Sequence, residues 1–397
     1  MADVPDPIQR AADRSMDLYD VTTWEPRTRV DRFATRLYRI VRAVARWLPV
    51  VVSVLLLYYE LTFGLQSAII NDTVRLLVVL SIVPAFLLAA FVWFSDVTTN
   101  EPLSTLVSTF ALGIVLGPFA GVLNLLVPLA ILGLVAAVLL TLVDAVSRAI
   151  SAGGLVPASA PDPITLAQDL ELATASELPE LEGVMLIVVL ALFFYLVVGP
   201  VEETIKLLAV RVYAYRTDDF DAVVDGAVYG AVAGLGFATV ENALYITDAF
   251  QQVGQATDLF GNGIVAARAL AGPGHVIYSA IAGYYLGLAK FNRDHAGPIV
   301  VKGLLIAAFF HGTYNLLVGI VPGAIAASVE GLSREIALVG FIVVYDGSIG
   351  LFLYRKIRRY RRVYRRVGAS EGMERAIEAE RTEFDPPTER AGPPRQE

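Results

Sequence analysis

The sequence of 397 residues has no cysteine, only three histidines and few charged residues. The absence of cysteine excludes disulfides, thiolate metal ligands and cysteine nucleophiles, so a metal would need carboxylate, imidazole or amide ligands. Charged residues make up 18% of the chain, below the roughly 25% of soluble domains, whereas 56% of the residues are hydrophobic. Scarce charge and abundant apolar residues together predict that the chain is embedded in a lipid bilayer.

Long apolar runs support this prediction, because about 20 apolar residues cross the roughly 30 Å hydrocarbon core as a helix. The fold class that we expect is an all-α polytopic transmembrane helical bundle of about eight spans. The first apolar run is long enough to span, which predicts an anchor rather than a cleavable signal peptide. We predict spans at 49–70, 74–94, 103–147, 184–213, 223–247, 264–289, 299–320 and 336–354.

The segment 103–147 is too long for a single perpendicular crossing. Gly117-Pro118 and the residues from Gly121 to Asn124 interrupt it, which favours a half-inserted segment followed by a span, or two spans joined by a tight turn. Seven arginines between residues 27 and 46, and eight basic residues between 355 and 366, flank the first and last spans. Both termini are therefore expected in the cytoplasm. Termini on the same side require an even number of crossings. The segment 103–147 is therefore expected to cross once, which gives eight crossings of the cell membrane.

Ionisable side chains occur at membrane depth in four consecutive spans, where each costs about 2.5 to 3.5 kcal/mol and indicates function by default. In the first of these spans, Glu202 and Lys206 lie one turn apart on one helix face, whereas Glu203 points about 100° away. A buried ion pair that merely aids helix packing is the alternative interpretation. The second, adjacent carboxylate weakens that alternative.

The next three spans each contribute further polar residues. Each one alone could be a satisfied interhelical hydrogen bond, and His311 and Asn315, one turn apart, could bond each other. However, Glu203, Glu241, His275 and His311 lie at similar depths in the membrane, about 15 to 28 Å along the helix from its inner end. Arg268 lies two turns before His275 on roughly the same helix face. We therefore predict that Glu241, His275 and His311 lie within about 12 Å of the Glu202-Glu203 pair in a single site.

Carboxylates, two imidazoles and an amide in a dry site suit a divalent metal with nitrogen and oxygen ligands, and zinc is the usual choice for hydrolysis. Such a metal lowers the pKa of water to about 7, and a neighbouring Glu can take the proton as the hydroxide attacks a peptide carbonyl. The sequence contains neither HExxH nor GxSxG. The common zincin arrangement and the serine nucleophile elbow are therefore excluded.

The ordered motifs resemble the PrsW family of intramembrane proteases, which is related to the CAAX prenyl endopeptidase and bacteriocin-processing superfamily. They are Glu-Glu-x-x-Lys at 202–206, Phe-x-x-x-Glu-Asn at 237–242, the lone His275, and His-x-x-x-Asn at 311–315, and the resemblance covers about residues 184–320. It implies that Glu202 or Glu203 activates water. It also implies that Glu241, His275, His311 and Asn315 bind metal or stabilise the oxyanion. We expect catalytic roles for Glu202, Glu203, Lys206 and Asn315, and metal ligation by Glu241, His275 and His311.

The sequence departs from the CAAX-type pattern at two motif positions. It has Glu241 where those relatives have His, and Lys206 where they have Arg, which favours the PrsW family. The departure leaves open whether a given Glu is a metal ligand or a base. PrsW-like proteins are implicated in regulated proteolysis of membrane-anchored anti-sigma factors. The resemblance therefore implies a membrane-anchored protein substrate within the lipid bilayer, and no nucleic-acid partner is expected.

On this interpretation the chain divides into five regions. They are a cytoplasmic segment 1–48 with an interfacial helix, membrane spans at 49–150, an acidic outer loop at 151–183, the membrane protease core at 184–354, and a basic then acidic disordered cytoplasmic tail at 355–397. Cleavage is expected near the outer end of a substrate helix, where unwinding is easiest, with access beside Gly199-Pro200 and Pro273-Gly274. No role is assigned to Glu60 or Asp346.

Two rival functions fit parts of this pattern. In an ion-coupled transporter, Glu202, Glu241 and Arg268 would line a proton or substrate path, but no inverted repeat is evident. A noncatalytic membrane scaffold of the same fold would be expected to lose polar motif residues, and all of them are present. Metal-dependent proteolysis is therefore the favoured hypothesis.

Overall fold

The structure is a computed structural model that describes residues 6–11, 16–44, 72–96, 98, 101–152, 179–253 and 263–384. The predicted first span at 49–70, with Glu60, lies outside the described residues. Most of the predicted outer loop at 151–183, and residues 254–262 of the second outer loop, also lie outside them.

The described chain is an all-α bundle, as predicted. Seven of its helices are long and apolar enough to cross a membrane, so the protein is a multi-pass membrane protein. The helices are α1 Pro7–Ala11, α2 Arg29–Val44, α3 Asp72–Phe94, α4 Leu103–Ala152, α5 Pro179–Phe193, α6 Gly199–Val212, α7 Val223–Val253, α8 Ile264–Lys290, α9 Ala296–Ser328 and α10 Arg334–Phe384, and a π-helical turn, Phe194–Val198, joins α5 to α6.

Helix α4 corrects the expectation of a break near Pro118. It is one continuous helix of 50 residues with Pro118 and Pro128 inside it. Two of its glycines, Gly113 and Gly117, serve close packing rather than a turn. A Cβ on Gly113 would lie 2.5 Å from the Ala233 carbonyl oxygen, and one on Gly117 would lie 2.4 Å from the Val240 side chain. Because α7 packs against this face, glycine spacing here marks a helix contact.

The segment 355–384 is also helical, which corrects the prediction of a disordered tail over these residues. Helix α10 continues through the basic stretch to Phe384. Ile357, Tyr360 and Val367 are buried, and the Tyr360 hydroxyl donates to Asp6 Oδ2 at 2.9 Å. Apolar and aromatic residues between the arginines thus give the helix one face that packs against the N-terminal segment.

Helices α7 and α8 form the centre of the bundle. They approach so closely that a Cβ on Gly230 would lie 2.3 Å from the Ser279 carbonyl oxygen, and one on Gly234 would lie 2.5 Å from that of His275. Small residues at such spacing let helix backbones meet in a membrane. Helices α3 and α4 pack against α7, whereas α9 and α10 pack against α8. The contact at Gly234 fixes the height of His275 relative to α7.

Ion pairs hold the N-terminal segment against α9 and α10 at one end of the bundle. Lys302 on α9 donates to Asp20 at 3.1 Å and pairs with Asp31 at 2.8 Å. Lys356 on α10 donates to Asp20 at 2.7 Å. Helix α2 lies within the segment 1–48, for which an interfacial helix is predicted, and packs against α9. These ion pairs connect residues before the first predicted span to helices of the membrane core.

Candidate active site

Polar side chains of α6, α7, α8 and α9 meet in one buried cluster, which we call the active-site cluster. Lys206 of α6 lies at its centre. Its Nζ is 2.7 Å from Glu203 Oε1, 3.6 Å from Glu202 Oε2 and 2.8 Å from His275 Nδ1. The predicted convergence of these residues, with Glu241 and His311, is confirmed by the contacts below. Their chemical roles stay predictions.

The position of Glu203 differs from the prediction that it points away from Lys206. It is fully buried and is the carboxylate nearer to the lysine. It also accepts hydrogen bonds from Ser279 Oγ at 3.3 Å and shares one with His311 Nδ1 at 2.9 Å. Residues three apart on a helix are neighbours as well as those four apart. Glu203 therefore bonds to Lys206 while it faces α8 and α9.

His311 contacts carboxylates through both ring nitrogens. Nδ1 bonds to Glu203, and Nε2 is 3.6 Å from Glu202 Oε2. The alternative of a simple His311–Asn315 hydrogen bond is therefore wrong. A carboxylate that accepts a hydrogen bond from Nδ1–H fixes the imidazole tautomer, so the lone pair of Nε2 stays free to bind a metal. Asn315 instead lines the adjoining cavity.

Glu241 is held from two sides. Its Oε2 is 2.7 Å from Arg268 Nη2 and 2.8 Å from His275 Nε2. Arg268 also donates from Nε to Asn242 Oδ1 at 2.9 Å, and the Asn242 amide donates to Ser81 Oγ of α3 at 2.9 Å. The predicted shared face of Arg268 and His275 on α8 is confirmed, because both side chains reach the same carboxylate. These contacts hold Glu241 in position.

The charges of the cluster do not balance. Glu202, Glu203 and Glu241 face Lys206 and Arg268, which leaves one net negative charge when the imidazoles are neutral. Moreover, Glu202 Oε2 is buried without a hydrogen-bond partner. A buried carboxylate oxygen without a hydrogen bond is costly, even with the Lys206 and His311 nitrogens 3.6 Å away. A divalent cation beside this oxygen would offset the negative charge and accept the lone pair.

The donor set fits such a cation. One ligand atom from each of Glu202, His275 and His311 lies within 4.8 Å of the others, and all three residues are buried. Two imidazoles and a carboxylate are a ligand set that zinc accepts. His275 would give up its contact with either Lys206 or Glu241 to join it. The grouping differs from the predicted one, because Glu202 takes the place expected for Glu241, which the Arg268 ion pair holds.

A cavity of about 500 Å³ adjoins the cluster. It is bordered by Glu202, Glu241, His275, Asn315 and also Asn124 of α4, whose amide donates to Glu202 Oε1 at 3.1 Å. Sequence reasoning missed Asn124 because it treated the surrounding residues as a break in the helix. The available signal was an amide in an otherwise apolar span, which is a polar group in need of a partner.

The predicted access beside Gly199-Pro200 and Pro273-Gly274 stays a prediction. A Cβ on Gly199 would lie 2.6 Å from the Ala308 carbonyl oxygen, so α9 packs closely against α6 at this point. The cavity is bordered by Val198 and His275, next to the two kinks, and by Asn124 of α4. Asp346, which had no predicted role, accepts a 2.5 Å hydrogen bond from the Tyr278 hydroxyl, and the Tyr278 ring lies 5.6 Å from that of His311. Asp346 thus supports a neighbour of the cluster.

Comparison with known proteins places this cluster in a recognised context. Residues 170–347 match the model of the family described as PrsW family intramembrane metalloprotease. The chain is 32% identical over 126 residues to Protease PrsW of Shouchella clausii, 34% over 126 residues to that of Geobacillus kaustophilus, and 35% over 123 residues to that of Bacillus subtilis. No solved structure matches.

These alignments cover 30–31% of this chain and 50–53% of the three relatives. The chain thus spans about half the length of the curated relatives it matches. The region of the family match contains Glu202, Glu203, Glu241, His275 and His311. The residues that converge in the structure therefore lie in the part of the molecule that is similar to the PrsW family.

Proposed function

We propose that this protein is an intramembrane metal-dependent endopeptidase that cleaves membrane-anchored proteins. One observation carries the proposal: Glu202, His275 and His311 offer three ligand atoms within 4.8 Å of one another, and the Glu202 Oε2 atom has no hydrogen-bond partner. The likeness to PrsW proteases, whose family is described as metalloproteases, supports it. The wider relation to CAAX-type proteases, and zinc as the metal, stay predictions.

The proposed roles follow from the contacts. Glu202, His275 and His311 would hold the metal, which supplies an activated water and polarises the scissile carbonyl. Glu203 orients His311 through Nδ1, and Lys206 holds Glu203 in place. This arrangement revises the predicted roles of Glu202 and Glu203. Both become positioning or ligand groups.

Two residues that border the cavity remain to handle the substrate. Glu241 borders the cavity and is held at Oε2, so we assign it the transfer of the proton from water to the leaving amine. Asn315 presents an amide to the same cavity, where its N–H groups would stabilise the oxyanion. Arg268 keeps Glu241 in position rather than lining a transport path.

The substrate is proposed to be a protein with a single membrane span. Its backbone amides are bonded internally, so the scissile peptide must unwind before its carbonyl can enter the cavity. With both termini in the cytoplasm of a cell-membrane protein, the cluster lies about 14 to 27 Å from the inner helix ends. Cleavage close to the outer end of the substrate helix follows from that depth.

The test uses the purified full chain in liposomes with a tagged single-span protein, and identifies products by mass spectrometry. We expect cleavage near the outer end of the span and loss of cleavage after chelation. Glu202→Gln and His311→Ala should each reduce the rate at least about 10²-fold and lower the bound metal measured by elemental analysis. His295→Ala and Glu330→Gln, which change the same residue types outside the cluster, serve as matched controls.

Several outcomes would contradict the proposal. A cut on the cytoplasmic juxtamembrane side would refute the proposed orientation of cleavage. Full activity of both Glu202→Gln and His311→Ala would refute the assigned site. Ion or solute flux through liposomes that depends on Glu241 and Arg268, without any cleavage, would favour the transporter instead.

A further inference from the structure

A second group of acidic side chains lies at the opposite end of α7 from the active-site cluster. Asp96 follows α3, Glu101 precedes α4, and Asp225 lies in the first turn of α7. One carboxylate oxygen of each lies within 4.8 Å of the other two. Asp225 is separated from Glu241 by about 24 Å along α7. This group, the connector cluster, is therefore distinct from the active-site cluster.

The burial of Glu101 is the second observation. Glu101 is only 3% exposed, and neither of its carboxylate oxygens has a hydrogen-bond partner among the residues that the structure describes. Asp96 Oδ2 is also buried without a partner. An unsatisfied buried acceptor costs about 1 to 3 kcal/mol, and more when it is charged. Three acceptor oxygens of two side chains therefore require either protons or a cation.

The other two carboxylates are held in place by the backbone. Asp225 Oδ2 accepts from the amides of Asp221 at 2.8 Å and Ala222 at 2.7 Å. Asp96 Oδ1 accepts from the Thr98 amide at 2.9 Å and its hydroxyl at 2.8 Å. Each side chain thus has one oxygen firmly held. Of the second oxygens, Asp225 Oδ1 accepts only a longer hydrogen bond from the Thr98 hydroxyl at 3.4 Å, and Asp96 Oδ2 accepts none among the described residues. Such preorganisation suits ligands of a metal ion.

Tyr229 adds a further unpartnered polar atom. It lies one turn after Asp225 on α7, is fully buried, and its hydroxyl has no hydrogen-bond partner. The carboxylates of Glu101 and Asp225 both act electrostatically on this hydroxyl. A buried tyrosine hydroxyl usually finds a partner. The unsatisfied polar atoms are thus concentrated at this end of α7.

Buried basic side chains elsewhere in the bundle have partners outside the connector cluster. Lys206 and Arg268 form their ion pairs with Glu203 and Glu241. Lys290, which acts electrostatically on Asp225, donates instead to the carbonyl oxygens of Phe220 at 2.6 Å and Tyr215 at 3.0 Å. Asp219 and Asp221 add further negative charge nearby.

We propose that Asp96, Glu101 and Asp225 bind a hard divalent cation, Ca²⁺ or Mg²⁺, which ties the α3–α4 connector to the start of α7. All the side-chain ligands would be oxygen atoms, which these two ions prefer. The absence of imidazole from this group distinguishes its metal preference from that of the active-site cluster. The role is structural, because α3 and α4 both pack against α7.

The test measures thermal unfolding of the full chain in detergent at neutral pH after dialysis against a chelator. Ca²⁺ and Mg²⁺ are titrated separately. We expect a saturable rise of about 2 to 6 °C in the unfolding midpoint with at least one of them, and one bound ion per chain by equilibrium dialysis. Glu101→Gln and Asp96→Asn should each abolish the rise, and the ion with the lower half-saturating concentration identifies the ligand.

Two controls separate this site from the other acidic and metal-binding groups. Glu330→Gln changes an exposed acid elsewhere, and His311→Ala changes the active-site cluster; both should retain the rise. If Glu101→Gln does not fold, Asp96→Asn decides, because Asp96 is only half-buried. The proposal is overturned if neither cation raises the midpoint, if Asp96→Asn keeps the full rise, or if acid pH alone stabilises the chelated protein and cations add nothing. The last result would show that the carboxyl groups of the connector cluster share protons and do not bind a cation.

Discussion

Helix α7 and the second half of α4 are both apolar enough to span a membrane, yet their surroundings differ. Almost all of the spanning part of α7 is buried in protein. Leu129, Leu132, Leu134 and Leu140 of α4 are instead largely exposed on the bundle surface. Hydropathy marks both as possible spans because lipid and protein interior are both apolar. The difference lies in the glycines: those of α7 touch neighbouring backbones, whereas a Cβ on Gly133 of α4 would meet nothing within 4 Å.

The comparison shows where the energy of this fold is concentrated. Around α7, glycines let backbones meet and buried charges pair across four helices. Along the second half of α4, the side chains are largely exposed on the bundle surface and make few contacts with other helices. Substitutions of the same type should therefore have large effects in the first region and small effects in the second.

The largest effect is expected from Gly230→Leu in α7. A Cβ at this position would lie 2.3 Å from the Ser279 carbonyl oxygen, so α7 and α8 would have to separate. We expect a loss of more than about 4 kcal/mol in the free energy of unfolding, together with loss of activity. Denaturation in mixed detergent micelles measures the stability.

Gly133→Leu in α4 is the matched control for Gly230→Leu. Nothing lies within 4 Å of a Cβ at Gly133. Its stability should stay within about 0.5 kcal/mol of the parent protein. Equal losses in the two variants would show that the contrast between these helices does not govern stability.

The next largest effect is expected from Lys206→Met. This change leaves the buried Glu203 carboxylate without its 2.7 Å ion pair. Removal of one partner of a buried pair costs about 3 to 5 kcal/mol. The double variant Lys206→Met with Glu203→Gln should recover a large part of that loss, because no unpaired charge remains. Calorimetry of both variants measures the difference, and a double variant as unstable as the single one would contradict the explanation.

A pH effect is expected at the start of α7, where Asp6 Oδ2 accepts from the Val223 amide at 3.0 Å. Burial raises the pKa of Asp6 to about 6, although hydrogen bonds from Ile8 and Val223 oppose the shift. Folding therefore favours the protonated carboxyl. Its stabilising contribution is complete below about pH 4 and is lost as pH rises through 6, at most about 3 kcal/mol.

Thermal unfolding between pH 4 and 7 checks this prediction by comparison with Asp6→Asn. The amide does not titrate, so the variant should lack the part of the pH dependence that Asp6 contributes. Identical pH profiles of the two proteins would contradict the assignment. The comparison is made between variants because other carboxyl groups titrate in the same range.

The smallest effect on stability is expected from Asn124→Ala, which distinguishes the two faces of α4. It removes the 3.1 Å hydrogen bond to Glu202 Oε1 and should cost about 1 to 2 kcal/mol. The rate of substrate cleavage should fall more than the substrate affinity, because Glu202 loses its orientation. Leu125→Ala, at the adjacent exposed position, is the control and should leave kcat unchanged. A larger kinetic effect from Leu125→Ala would refute this assignment.

A large part of the fold was predictable from composition and apolar run length. The seven described membrane helices lie at seven of the predicted spans. The continuity of α4 was not predictable, because Gly117 and Pro118 can mark either a turn or a close helix contact. Only the presence of Val240 opposite Gly117 selects the second meaning. The helical segment 355–384 was missed because its packing partner, the N-terminal segment, is remote in sequence.

The site was predictable as a set of residues but not as a set of pairs. Polar side chains in spans are costly, and that cost alone indicated that Glu202, Glu203, Glu241, His275 and His311 share a site. Which carboxylate pairs with which cation depends on helix rotation and height. Arg268 reaches Glu241, and Lys206 lies closer to Glu203, which leaves Glu202 Oε2 as the carboxylate oxygen without a hydrogen bond.

The sequence by itself thus determined that the protein lies in a lipid bilayer, that it is helical, and which residues must avoid lipid. These properties follow from the transfer free energy of each side chain taken separately. The tertiary structure decided the partners: the pairing of α7 with α8 at Gly230, the capture of Glu241 by Arg268, and the meeting of Asp96, Glu101 and Asp225. Contacts of this kind depend on distances between helices, which vary by ångströms while the hydropathy of each helix stays the same.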